Sequence, residues 1–273
     1  MSGLARPQRL CLRGVQAARL SADGKGMTRP VYTYLPGAEV TEQQIKDCAR
    51  LFSEHYGVWG EQPGSSSNPK PGSRVRLSAE RLRAQYLFNT ETCDLVVAKI
   101  GDELIGHVFV TKFEYPGHGS VCWITQVVVS ASHRSHGIGS RLCRIAWSSC
   151  TNDFACGLVS SHPHAVRALE CATERLCDLD AITEHAAGLI EASDIPYMQN
   201  RRVVQHTVDT QFYVDHTEVN QLIKKQVNWT LGELADGHEF FAFTFMSSPR
   251  RRGSGSGSLT GSPPKHTKVS SQE

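Results

Sequence analysis

Apolar residues in this chain recur at two spacings, one suited to strands and one to helices. A short apolar run over 31–35 predicts a first strand. Ile45, Cys48, Ala49 and Phe52 then return every three or four positions, the stripe of a helix reaching about Tyr56, with Thr41 and Gln44 at capping-box spacing before it. Ser78 predicts the start of a second helix running to about Phe88. Residues 94–99 and 104–113 read as antiparallel strands joined at Gly101-Asp102, and 117–119 turns the chain into a strand over 121–129. Ile138, Leu142, Ile145 and Ala146 mark a helix, and 154–160 a fifth strand. Ala165, Ala168, Leu169 and Ala172 line a helix opened by Ser161-His162-Pro163, with proline in its first turn and Ser161 as its N-cap. Beyond it, 182–190 reads as a helix and 203–214 as a strand broken or bulged midway. Val219, Leu222, Ile223 and Val227 mark a short helix, and 240–245 a closing strand.

Composition narrows the possibilities. The hydrophobic share, 40%, is ordinary for a globular chain of 273 residues. The nine cysteines are odd in number and contain no C-x-x-C pair, so neither a zinc site nor a disulfide framework is expected; a reducing, cytoplasmic setting is the natural reading. No apolar run approaches the roughly 18 residues of a membrane span, so no membrane association is expected. Without a signal peptide, the sequon Asn228-Trp229-Thr230 reads as idle. The net charge of +2 conceals an asymmetry. Residues 1–30 carry six Lys/Arg against one acid and 248–273 carry five against one, leaving 18 basic and 25 acidic residues in the body. An acidic body points to a cationic acceptor and away from nucleic acid. The organisation expected is a basic leader over 1–30, one domain over 31–247, and a low-complexity, disordered tail over 248–273. The leader resembles a mitochondrial presequence in composition, but its plainer reading is a disordered leader or an extension upstream of a start at Met27. Arg250–Arg252 reads as a solvated charge run or a weak nuclear signal, which adds a nuclear alternative for location.

The stretch that carries chemistry is 123–147. A β-branched strand runs into Arg134-Ser135-His136-Gly137-Ile138-Gly139 and then into the helix at Ile138. A strand entering a glycine-containing turn at a helix N-terminus presents free backbone N–H groups, where anions bind. The glycines allow close backbone approach and Arg134 adds a fixed positive charge. Neither G-x-G-x-x-G nor G-x-x-x-x-G-K-[ST] occurs here. The residues themselves leave open a structural glycine turn beside a pyrophosphate cradle.

The stretch V-V-V-S-A-S-H-R-S-H-G-I-G-S-R-L resembles the acetyl-coenzyme A signature of the GNAT superfamily of N-acetyltransferases, with the resemblance extending over about 40–246. It implies an α/β (α+β) fold with a central mixed, mostly antiparallel, splayed sheet flanked by helices. It implies acetyl-CoA as co-substrate and direct acetyl transfer to the amine of a small molecule or protein. By position, Val127, Val128 and Val129 would bind the thioester and pantetheine through backbone groups. Arg134, Ser135, His136, Gly137, Ile138, Gly139 and Ser140 would hold the pyrophosphate. The chain departs from the family pattern twice. Trp123 stands where some members carry a strand glutamate; His162 and Leu169 stand where many carry asparagine and tyrosine.

With the usual acid and base missing, His162 is the substitute candidate for catalysis, since a helix N-terminus keeps an imidazole neutral. Its plainer role is to hydrogen-bond the pantetheine or cap the turn. Ser160 or Ser161 is a candidate proton donor to the thiolate. In this family the loop after the first helix often lines the acceptor site, which brings in Tyr56 and Trp59, though aromatics there also serve a core. Asp215 and Glu218 have the spacing of a capping box more than of a catalytic pair. Glu114, Tyr115 and His118 lie on a hairpin near where acceptors enter. The rival reading is a non-catalytic CoA-binding sensor or scaffold.

Overall fold

The computed structural model describes residues 29–61, 69–150, 153–226 and 229–251. Its frame is a single eight-stranded sheet in the order β1-β2-β3-β4-β5-β8-β7-β6. The strands are β1 (Val31–Pro36), β2 (Cys93–Ile100), β3 (Glu103–Tyr115), β4 (Gly119–Val129), β5 (Asp153–Ser160), β6 (Val203–Val204), β7 (Thr207–Asp209) and β8 (His238–Phe245). Every described strand pair is antiparallel except β4–β5. The helices are α1 (Glu42–His55), α2 (Ala79–Tyr86), α3 (Ile138–Ser148), α4 (Pro163–Thr173), α5 (Leu179–Ala192) and α6 (Thr217–Lys225). None is long and apolar enough to cross a membrane.

Each face of the sheet is covered for a reason visible in the spacing. α1 buries Ile45, Cys48, Ala49, Leu51 and Phe52 in one cluster with Leu95, Val97, Phe109 and Val128, and both halves of its capping box form at Thr41 and Gln44. α3 lays Ile138 and Leu142 across Gly106 of β3 on the opposite face, where any larger side chain would press on them. α4 packs along α3. Trp123 on β4 is fully buried, its ring 5.4 Å from Phe241 and 4.9 Å from Phe243. Gly157 makes room for that packing, because a Cβ there would overlap the Phe243 ring. α5 covers the β3–β4 hairpin: Tyr115 packs against Gly188, stacks on His118 at 4.4 Å, and meets His185 at 5.9 Å.

The expected elements recur with four differences. The strand expected over 203–214 is a two-residue and a three-residue piece, because Gln205 and Gln211 turn the chain at positive φ. The rest leaves the sheet to bond the loop after α1, through Gly60 N–H to Tyr213 O at 2.8 Å and Asp215 N–H to Val58 O at 3.0 Å. The N-cap of α4 is His162 rather than Ser161. Asp215 accepts from the Thr217 N–H at 2.9 Å, while His216 is the N-cap of α6, so no capping box forms. Residues 248–251, expected within the tail, bond the end of α4: Leu176 N–H donates to Pro249 O, and Arg251 N–H donates to Glu174 O, each at 2.9 Å. Val227, the leader up to residue 28 and the tail from 252 lie outside the described residues.

Candidate functional site

β4 and β5 part company partway along their length. Their parallel register runs from Ser120↔Asp153 to Ile124↔Leu158 and stops there. β5 goes on beside β8 to Ser160↔Phe240, and β4 goes on beside β3 to Val129↔Gly106. Between the Phe109 and Val110 pairings β4 carries one extra residue, Thr125, a bulge of the kind that re-aims a strand's side chains. After it the alternation is inverted. Val128 packs with the α1 cluster, while Val129 reaches toward Gly139 of α3. The backbone is aimed by the same alternation. Ser130 N–H donates to Ile105 O at 2.9 Å, so the Val128 groups face β3 and those of Val127 and Val129 face the gap left by β5.

The turn after β4 completes a cleft. Gly137 is the N-cap of α3 at φ 76°, a left-handed conformation that glycine adopts without strain, and no side chain caps the helix. With no acid in its first turn, the N-terminus of this 11-residue helix keeps its N–H groups and dipole for an anion. A cavity of about 1120 Å³ opens there, between β4, the start of α3 and the start of α4. Val127, Val128, Val129, Arg134, Ser135, Gly137, Ile138, Gly139, Ser140 and His162 all line it. His136 does not; it is exposed, with Nδ1 2.6 Å from Arg134 O. Arg134 donates through Nε to Val129 O at 3.2 Å and through its guanidinium to His55 O, which ties α1 to the end of β4. Lys225, Arg250 and Arg251 bring further positive charge to the wall, where Arg167 is paired with Glu170, against one lining acid, Asp215. The donor set fits the diphosphate and pantetheine of coenzyme A: an uncapped helix N-terminus, a basic wall and a free strand edge.

His162 sits at the far side of this cleft. Its Nδ1 accepts from the His164 N–H at 3.2 Å. Burial first, then His164 and Arg134, pull its pKa down to about 4. The ring is therefore neutral at pH 7, with its proton on Nε2, a donor rather than a base. The positions that carry acid or base elsewhere in the resembling family are sealed here: Trp123 and Leu169 are each 0% exposed.

The acetyltransferase (GNAT) family model matches residues 62–171, which include β4, the turn and α3. No curated protein sequence matches the chain. Solved structures similar to it include an aminoglycoside acetyltransferase from an uncultured soil metagenomic sample (17% identity, 41% of this chain and 64% of that one, TM-score 0.29). The diaminobutyrate acetyltransferase of Paenibacillus lautus is another (17%, 58% and 78%, TM-score 0.34). A third is the polyamine N-acetyltransferase of Drosophila melanogaster (11%, 54% and 85%, TM-score 0.37). The chain thus spans less than two thirds of the first of these.

On the face of the sheet away from the cradle lies a second group of residues, most of it outside the sequence expectations. Tyr56 lines the cavity and packs its ring 5.9 Å from Phe212, while Trp59 packs on Phe212 at 5.1 Å. Tyr86 and Tyr197 stand 5.8 Å apart, and Tyr86 is 6.2 Å from Phe109. Glu239, 8% exposed on β8, has its carboxyl pushed up to about 7 by burial; the Thr210 hydroxyl, the Ser161 N–H and Arg201 moderate the rise. Its only trace in the sequence is an acid at the head of the otherwise apolar run F-F-A-F-T-F. The hairpin residues Tyr115 and His118 lie beneath α5 and do not line the cavity.

Proposed function

We propose that this chain is an acyl-CoA N-acyltransferase that moves the acetyl group of acetyl-CoA directly to an amine of a small molecule or a protein. The observation that carries this reading is the coincidence, in one cavity, of the β4 edge left unpaired by β5 at Val127 and the Val129 N–H with the uncapped, glycine-led N-terminus of α3. Residues 134–140 would hold the diphosphate through backbone N–H groups, with Arg134 supplying charge. The Val127 N–H would stabilise the oxyanion that develops on the thioester carbonyl, a contribution of about 3 kcal/mol for one well-aimed donor. The domain proposed spans 31–247, with Pro249, Arg250 and Arg251 of the tail lining its cleft. All eight described cysteines are free, compatible with a cytoplasmic setting.

A second reading, a CoA-binding sensor without turnover, draws on the sealed Trp123 and Leu169 positions. One experiment separates the two. Calorimetric titration with acetyl-CoA is followed by assay of free thiol across a panel of amines. Binding with amine-dependent thiol release is expected; binding without release on any amine favours the sensor, and no binding overturns both. Gly137→Asp places a carboxylate at the uncapped N-terminus without losing the fold, since aspartate serves as an N-cap and tolerates the left-handed region. Coenzyme A affinity should fall at least tenfold, and an unchanged affinity in the folded variant would sink the cradle assignment.

A further inference from the structure

The transfer proposed above needs a group that takes a proton from the amine, and the inference here rests on that reading. Among the described residues, six buried side-chain nitrogen or oxygen atoms make no hydrogen bond. Four of them, His107 Nδ1, Trp123 Nε1, Thr125 Oγ1 and Gln126 Nε2, gather at the β4 bulge. Unpartnered polar atoms in a protein interior are costly, and the tyrosine hydroxyls nearest Trp123 and Gln126 approach them without making well-formed hydrogen bonds. The Tyr86 hydroxyl faces the Gln126 side chain and the Tyr197 hydroxyl faces the Trp123 indole. Tyr56, Tyr86 and Tyr197 each feel the charge of Glu239. Ser161 lines the cavity while its N–H faces Glu239, so the carboxylate lies directly behind the wall where β4 and β5 part.

We propose that Glu239 is the general base of the transfer, and that the tyrosine cluster before it holds the acceptor as a primary ammonium. Electron-rich rings around a single carboxylate recognise one cation. The same burial that favours the neutral carboxyl favours the neutral amine, which brings the two proton affinities toward each other. A carboxyl near 7 is present in both forms at neutral pH, as a base that must reload requires. Thr210 and the Ser161 N–H hydrogen-bond Glu239, and within electrostatic reach of it are Tyr56 at the C-cap of α1, Tyr86 from α2, Tyr197 from the turn Pro196–Met198, and Arg201. Only Arg201 among these is charged at pH 7. In the step itself, one ammonium proton passes to a Glu239 oxygen and the freed lone pair attacks the thioester carbon. The C–N bond forms, the C–S bond breaks, and the second amine proton goes to the departing sulfur. Glu239 then returns its proton to water.

The test uses the full chain and its Glu239→Gln variant, with 1,4-diaminobutane and Nα-acetyl-lysine methylamide as probe amines, one a small molecule and one a protein-like side chain. Both proteins are first titrated with coenzyme A, and equal affinity is expected. Amine is then titrated into the coenzyme A complex at pH 7 in two buffers of different ionisation enthalpy. An ammonium arriving beside Glu239 should expel roughly half a proton from the wild type and none from the variant. The variant's kcat/KM should fall 10²- to 10³-fold and lose its rise between pH 6 and 8. Equal proton release by both proteins, or a pH profile the variant retains, would overturn the assignment of Glu239. Protein that binds coenzyme A but neither amine would overturn the assignment of the cluster. Failure to bind coenzyme A would instead strike the function proposed above.

Discussion

Glu239→Gln should make this protein clearly more stable in weak base and much less so in weak acid. The carboxyl's ordinary value is 4.5 and its folded value is about 7. Between those values the native state binds more protons than the unfolded chain, so this residue's contribution to stability falls as pH rises through that window and stays low above it. The displacement corresponds to about 3 kcal/mol of cost at pH 8, all of it removed by an amide of the same shape. At pH 5 Glu239 is protonated in the native state but partly ionised in the unfolded chain, so only about 1 kcal/mol of the cost remains for the amide to remove. The buried histidines act in the other direction. His107 and His162, both lowered to about 4, withdraw stability as pH falls below 6.5, but they do so equally in both proteins and cancel in the difference. Urea unfolding at pH 5 and pH 8 measures it. For a domain of this size the offset at pH 8 amounts to roughly 6–12 °C in Tm. The same offset at both pH values, or a variant less stable at pH 8, would refute the reasoning. A stabilised but slow variant is the expected signature of a group kept for chemistry at the expense of the fold.

Three further outcomes follow from the packing and the cleft. Gly157→Ala forces a methyl into the Phe243 ring beneath Trp123 and should cost about 1–3 kcal/mol in urea unfolding; an unchanged midpoint would mean the aromatic layer is looser than described. His162→Asn preserves an N-cap for α4 and should leave transfer within a few-fold of wild type, whereas a loss of 10²-fold or more would restore His162 as the base. Replacing Arg250 and Arg251 together by alanine should weaken coenzyme A roughly tenfold and flatten the salt dependence of its affinity, since both are exposed charges on the cavity wall; unchanged calorimetry at low salt would remove the tail from the cleft.

Much of this could be read before any coordinates. The strand, turn and helix over 123–147 were legible because their signals are local: a β-branched run, two glycines at a turn, and apolar residues at helical spacing all act within a few residues of one another. Ten of the eleven residues expected at the site line one cavity for the same reason, since a strand entering a helix N-terminus has few ways to arrange itself. His136 is the exception, because its bond to Arg134 O aims it outward. The single-residue bulge at Thr125 could not be read from Ile124 to Val129, where the adjacent polar residues Thr125 and Gln126 sit between apolar ones and no strict alternation shows which residue is extra. Nor could spacing show that α5 would bury the hairpin carrying Tyr115, or that 248–251 would turn back onto the end of α4. Glu239 is the sharpest case. Its neighbours Tyr56, Tyr86, Ser161 and Tyr197 lie between 42 and 183 positions away in the chain. Periodicity records which face a residue turns toward a core, but the charge of a buried carboxyl depends on what other strands and helices bring to it, and that is settled only when the sheet closes.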